Sequence, residues 1–202
     1  MSKIYLIRHA KSEANQNEIF AGITDYPLCQ EGLIQAEELK GKILAGDLQI
    51  DMIFSSPLSR TIQTITPTAN ALSKTIHTDK NLIEMNLGEW DGWTYEEIYN
   101  ANKDIVSHIL EFDEICGIKN QETHSEVAKR VYDEILKLAK QNPKKNLALV
   151  SHSIAIKSFL CKVLNIPFCE IKEKIGKIDN ASISTLEFDE NNETFSIKSL
   201  NK

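Results

Sequence analysis

Three things this chain lacks narrow its reading before any motif is considered. No apolar run approaches the roughly 20 residues that span a bilayer, and the first residues lack the apolar core of a signal peptide. The expectation is a cytoplasmic protein with no membrane partner. Positive charge is also in deficit, since 23 Lys and Arg face 29 Asp and Glu for a net charge of −6. Nucleic acids and anionic lipid surfaces select basic faces, so neither is expected as a partner. Any anion site must then be built locally, against the sign of the whole. Finally, the four cysteines (Cys29, Cys116, Cys161 and Cys169) include no C-x-x-C pair, and no H-E-x-x-H or carboxylate cluster occurs. That spacing fits neither a zinc site nor a disulfide framework, so buried, reduced thiols are expected and no metal.

What remains is an ordinary globular composition, 42% hydrophobic and 26% charged over 202 residues, enough for one well-buried domain. No repeat or low-complexity linker interrupts it. The pattern alternates strand and helix, which predicts an α/β fold with a mainly parallel sheet. Strands are expected near 3–8, 50–55, 75–78 and 147–150, with an edge hairpin over 182–188 and 194–199. Helices are expected over 31–45, with Leu33, Ala36, Leu39 and Ile43 at helical spacing, from Pro57 to about Leu72, from a Thr123–Glu126 capping box to near Pro143, and from 153 to about Leu164. The stretch 84–121 differs in kind. It holds both tryptophans and reads as an excursion over one end of the sheet.

Three strands end in polar residues suited to one ligand. The first delivers Arg8 and His9. The second runs into Ser55-Ser56-Pro57-Leu58-Ser59-Arg60, with Arg60 in the first turn of a helix. The strand ending at Val150 gives Ser151-His152-Ser153. Ligands of open α/β sheets bind beyond the carboxyl ends of strands, where helix N-termini present N–H groups and partial positive charge. Two arginines and two histidines at that edge describe an anion pocket, most naturally for phosphate. Taken singly, a strand-end Arg can be a solvated ion-pair partner, Arg60 an exposed helix residue, and a His at a helix start a cap. Together they suggest chemistry: a neutral imidazole attacks phosphorus while two arginines and a second, cationic histidine neutralise the phosphate. An alkoxide leaving group needs a proton, and a carboxyl kept protonated beside the phosphate would give it. Glu84 is the candidate, with Glu89 and Asp91 as rivals.

These residues match a known pattern. The chain resembles the histidine phosphatase superfamily, also called the phosphoglycerate mutase-like family. Arg8-His9-Ala10-Lys11-Ser12-Glu13-Ala14-Asn15 is similar to its Arg-His-Gly strand end. Asp25-Tyr26-Pro27-Leu28 with Gly32 resembles its D-x-P-L-x-x-x-G segment, and Ser55 to Thr64 its S-S-P-L-x-R-x-x-x-T block. Glu84 to Gly92 looks like its E-x-x-x-G-x-W-x-G segment, and His152 sits where the second histidine belongs. The resemblance implies a three-layer α/β/α sandwich over 1–202, with a mostly parallel sheet and a small helical cap inserted at 85–121. It implies His9 as phosphorylated nucleophile, Arg8, Arg60 and His152 as phosphate holders, Glu84 as proton donor, and Asn15 and Ser153 at the phosphate, with no metal or other cofactor. Three glycines of the pattern are missing. Ala10 and Ser153 stand where glycine is usual, a mild change unless φ there is positive, and Gln121-Glu122-Thr123 replaces the usual G-E-S.

The expected activity is hydrolysis of a small phosphorylated metabolite, with a cofactor-dependent phosphoglycerate mutase as the alternative and a non-catalytic phosphate-binding regulator third. Between Glu84 and Gln121 the only basic residues are Lys103, His108 and Lys119, fewer than the longer mutase caps carry. The cap aromatics Trp93, Tyr95, Tyr99 and Phe112 either face the leaving group or pack into the core. Neither the particular phosphomonoester nor an oligomeric state is written in this pattern.

Overall fold

The structure, a computed structural model, describes residues 1–46, 48–101 and 118–202. Its elements follow the expected alternation. β1 (Ser2–Arg8) is followed by the single turn α1 (Glu13–Gln16), α2 (Gln30–Ala45), β2 (Met52–Ser55), α3 (Ser59–Ala71) and β3 (Ile76–Thr78). Then come α4 (Tyr95–Ala101), α5 (His124–Gln141), β4 (Leu147–Ser151), α6 (Ser153–Leu164), α7 (Ile171–Lys174), β5 (Ile183–Asp189) and β6 (Thr194–Ser199). The strands form one sheet in the order β3-β2-β4-β1-β5-β6. The first four are mutually parallel and the last two antiparallel.

Strand alternation explains the layering. Ile4 and Leu6 of β1, with Leu147 and Leu149 of β4, join a core with Val127, Val131 and Ile135 of α5 and Phe159 of α6. Tyr5 and Ile7, with Ala148 and Val150, pack instead with Ala36, Leu39 and Ile43 of α2 and Ile65 of α3. Successive side chains leave a strand on opposite faces, so central strands apolar at every position bury both faces under helices. The result is the three-layer α/β/α arrangement.

Several expectations need correction. α3 starts at Ser59, with Leu58 as N-cap, rather than at Pro57. Leu33 shares the helical spacing of α2 but is exposed, and Gly32 is buried in its place. There Gly32 lies so close to Lys11 that a Cβ would stand 1.9 Å from its carbonyl oxygen. The C-terminal hairpin does lie at one edge of the sheet, joined through β5 to β1 with β6 outermost. Cys29 and Cys161 are buried thiols, but Cys169 is exposed; Cys116 lies outside the described residues. Burial pushes the Cys161 thiol up to about 12. Of the expected cap over 85–121, residues 102–117, including Lys103, His108 and Phe112, also lie outside them. Within the described part, Trp90 is buried while Trp93, Tyr95 and Tyr99 are exposed, which removes core packing as the explanation of those three. Among the described residues no helix is long and apolar enough to cross a membrane.

Candidate active site

The histidines meet because their strands do. β1 and β4 are parallel neighbours with Arg8 opposite Ser151, so His9 and His152 come next on adjacent strands. The His9 amide continues the ladder to the Ser151 carbonyl at 3.0 Å. The two rings lie 5.1 Å apart, inclined by 58°. β2 pairs with the other side of β4, and the Ser56 amide bonds the Val150 carbonyl at 2.9 Å. That contact brings the start of α3, and Arg60, to the same edge.

Each ring has a defined proton. His9 Nδ1 lies 2.7 Å from the Ala10 carbonyl oxygen. A carbonyl only accepts, so Nδ1 carries the hydrogen and Nε2 keeps its lone pair. Burial, then Arg8 and Arg60, pull the His9 pKa well below the ordinary histidine value. His152 Nδ1 accepts from Arg60 Nε at 3.3 Å, so its hydrogen is on Nε2 and is donated to Ser56 Oγ at 2.8 Å. Its pKa is also held well below the usual value, by burial and then by Arg60. The expected cationic second histidine is therefore a neutral one, and the positive charge of the site resides on Arg8 and Arg60.

This predicts a pH-dependent stability. Both folded-state values lie below the unfolded value of about 6.5, so the unfolded chain takes up protons that the folded chain refuses. Stability is full above about pH 6.5 and declines as pH falls below it, by up to about 1.4 kcal/mol per pH unit for each histidine. Urea midpoints measured from pH 7 to pH 5 are expected to show this slope, and His152→Asn to remove about half of the histidine part. An unchanged slope in that variant would show that His152 is not held neutral.

Arg60 is almost wholly buried, not the exposed helix residue that its position allows. Besides His152, its guanidinium donates Nη1–H to the Thr24 carbonyl at 3.0 Å and Nη2–H to those of Gly22 at 2.7 Å and Ala21 at 3.5 Å. Arg8 donates Nη1–H to the Ile178 carbonyl at 2.5 Å, while its buried Nε–H has no partner among the described residues. Arg8, Asn15, Glu84 and Ser153 line a cavity of about 250 Å³ with Phe20, Leu87, Trp90 and Tyr95. His9, Arg60 and His152 are buried and are not among its lining residues.

The helix N-termini at this edge are not open to ligand, contrary to expectation. Glu84, itself buried, accepts at Oε1 from Met85 N (3.0 Å) and Ala155 N (2.9 Å), and at Oε2 from Ile154 N (3.1 Å). It thus caps the first turn of α6. Asp25 accepts from both the amide and hydroxyl of Ser59, at 2.9 and 2.8 Å, and caps α3. Of the three acid candidates, only Glu84 lines the cavity. Glu89 is exposed, 3.6 Å from Lys119 Nζ, and Asp91 accepts three backbone N–H bonds from Gly22, Ile23 and Thr24.

The replaced glycines prove undemanding. Neither Ala10 nor Ser153 has a positive φ, and before Gln121 the left-handed residue is Asn120, at φ 63°. Ala10 donates its N–H to Thr64 Oγ1 at 2.8 Å, and Thr64 in turn donates to the Arg60 carbonyl at 2.6 Å. Ser12 and Asn15 form the capping box of α1, with the Asn15 oxygen engaged by Ser12 N and by Asn180 Nδ2.

Four supporting residues escaped the sequence reading: Ser56, Thr64, Asn180, which donates to the His9 carbonyl at 2.9 Å, and Arg130. The last bonds the Ile83 and Glu84 carbonyls at 2.9 and 3.3 Å and pairs with Glu122 at 2.8 Å. Only the hydroxyl residues, within the quoted Ser55–Thr64 block, carried a signal in the sequence.

A mostly parallel α/β sheet that gathers two histidines and two arginines at the carboxyl edge of its parallel strands defines a class, the histidine phosphatase type. Comparison with known proteins agrees. The description "histidine phosphatase superfamily (branch 1)" matches residues 4–202, and the chain belongs to that family. It is 30% identical over 188 residues to a putative phosphoserine phosphatase 2 of Hydrogenobacter thermophilus, covering 92% of this chain and 89% of that protein. It is 26% identical over 190 residues to a probable phosphoglycerate mutase GpmB of Escherichia fergusonii, covering 94% and 86%. The crystal structure of phosphoserine phosphatase from Entamoeba histolytica in complex with 3-phosphoglyceric acid superposes with a TM-score of 0.84 at 29% identity, covering 100% of this chain and 98% of that one.

Proposed function

We propose that this protein is a phosphatase that hydrolyses a small phosphomonoester through a phosphohistidine at His9. The observation that carries the reading is the His9 ring itself. Its Nδ1–H is tied to the Ala10 carbonyl and its pKa is depressed by burial and then by Arg8 and Arg60, so a nucleophilic Nε2 is available at neutral pH in the field of two guanidinium groups. In the first step His9 Nε2 forms a bond to phosphorus as the ester P–O bond breaks. Arg8 and Arg60 offset the charge on the equatorial oxygens. Glu84 gives a proton to the departing alkoxide. In the second step water attacks the phosphohistidine, Glu84 takes its proton, and His9 and inorganic phosphate are released. Asn15, through its Nδ2, and Ser153 complete the phosphate contacts.

Phosphoserine is the first substrate to try, because relatives at 28–30% identity carry that name. The scarcity of basic residues between Glu84 and Gln121 also favours hydrolysis over mutase chemistry. The second reading, a phosphoglycerate mutase, has the GpmB relatives in its favour. One panel separates them: phosphate release from L-phosphoserine, 3-phosphoglycerate and sugar phosphates, run beside conversion of 3- to 2-phosphoglycerate. Hydrolysis of phosphoserine is expected to be the fastest reaction. Mutase turnover above every hydrolytic rate would overturn the phosphatase reading.

A further inference from the structure

The segment from Ala21 to Thr24 is held from two sides by opposite charges. On one side Asp91 Oδ1 accepts from Gly22 N at 2.9 Å, and Oδ2 accepts from Ile23 N at 2.9 Å and Thr24 N at 3.0 Å. On the other side Arg60 donates to the carbonyls of Gly22 and Thr24. The Ala21–Gly22 and Gly22–Ile23 peptide groups therefore each present N–H to Asp91 and C=O to Arg60, and their dipoles link the two charges. Asp91 also favours the charged form of Arg60, behind Glu84 and Asp25 in that effect. The loop is pinned further by neighbours of Asp91. The Gly92 amide bonds the Phe20 carbonyl at 2.7 Å, and the Phe20 amide bonds the Trp93 carbonyl at 2.8 Å. Gly22 presses on the loop beside Glu84, so that a Cβ would stand 2.3 Å from the Met85 carbonyl oxygen.

From this geometry we infer that Asp91 is a positioning residue for the phosphate clamp, acting on Arg60 through the Gly22–Thr24 carbonyls. The inference rests on the reading of Arg60 as a phosphate ligand. A guanidinium recognises phosphate through a planar fork whose aim matters as much as its charge. Here the aim is set by carbonyls that cannot hold their orientation alone. Without the carboxylate, three amides turn toward water, the carbonyls swing, and the fork leaves its plane. A misplacement of about 1 Å in such a group costs up to roughly a hundredfold. Asp91 thereby ties the Trp90–Trp93 segment to the phosphate end of the site.

The test measures the inhibition constant of inorganic phosphate and the KM and kcat for 4-nitrophenyl phosphate. Asp91→Asn keeps the size of the side chain but loses its charge and one acceptor. It is expected to raise the phosphate inhibition constant and KM together by about tenfold, with kcat changed by less than about threefold. Glu89→Gln, two residues away and exposed, is expected to match the parent protein. In an Arg60→Ala background the effect of Asp91→Asn on phosphate inhibition is expected to vanish, as it must if the two act in series. An unchanged inhibition constant in Asp91→Asn, or an undiminished effect without Arg60, would overturn the inference. Should Asp91→Asn not fold, Asp91→Glu keeps the charge while displacing it by one methylene. The same rise, somewhat smaller, is then required, and its absence counts against the inference equally. If the parent protein neither hydrolyses the aryl ester nor binds phosphate, the reading of the site as a phosphatase falls first.

Discussion

Replacing His9 by alanine is expected to reduce phosphatase activity by at least about 10⁴-fold, to the limit of detection. Loss on this scale follows because no described neighbour can substitute. His152 lies 5.1 Å away, ring to ring, but its Nδ1 lone pair is turned to Arg60 and its Nε2–H to Ser56. The variant should still bind inorganic phosphate, because Arg8 and Arg60 are anchored by the carbonyls of Ile178, Gly22 and Thr24 rather than by His9. The parent enzyme, quenched in base during turnover, should carry an acid-labile, base-stable phosphoryl group that His9→Ala lacks. Its activity should persist in excess EDTA. Retention of more than about one per cent of activity in His9→Ala, or activity lost on chelation and restored by a divalent ion, would remove the phosphohistidine mechanism.

The second large effect concerns Glu84, whose signature is dependence on the leaving group. Glu84→Gln cannot donate a proton, so hydrolysis of an alkyl phosphate such as phosphoserine is expected to fall by about 10²–10⁴-fold. With 4-nitrophenyl phosphate the departing phenolate needs no proton, and the first step should fall far less. The substitution also places an amide among the N–H groups of Met85, Ile154 and Ala155. A donor facing donors costs roughly 1–3 kcal/mol of stability. That cost lowers both activities alike, whereas the contrast between substrates belongs to proton transfer alone. Equal losses on the two esters would show that Glu84 serves only to cap α6.

The sheet and its helices were legible because apolar residues repeat at periods of 2 and 3.6. The gathering of polar residues at the edge was legible because Arg8, His9 and His152 interrupt or follow apolar strands. Local rules also carried the Thr123 capping box, which the structure reproduces with Glu126. What could not be read is long-range and periodic in nothing. Asp91 meets Gly22 across 69 positions, Thr64 meets Ala10 across 54, and Asn180 meets His9 across 171. The protonation of His152 was misjudged for a related reason. It is fixed by an arginine 92 positions away, whose N–H points at the ring nitrogen. The Leu33 error is of another kind, since helical spacing marks a face but not its width.

One consequence of the register between β1 and β4 concerns how such a protein diversifies. Arg8 faces Ser151, so the separation of the two imidazoles is inherited from the spacing of hydrogen-bonded strands, about 4.8 Å. That dimension behaves as a lattice constant of the sheet. Drift in loop sequence cannot stretch it, and drift in the core cannot alter it without dismantling the ladder. Selection for a new substrate is left to work on the walls that Phe20, Leu87, Trp90 and Tyr95 supply. Under the proposed function the chemistry is hereditary in the backbone, while the choice of substrate is held on exchangeable side chains.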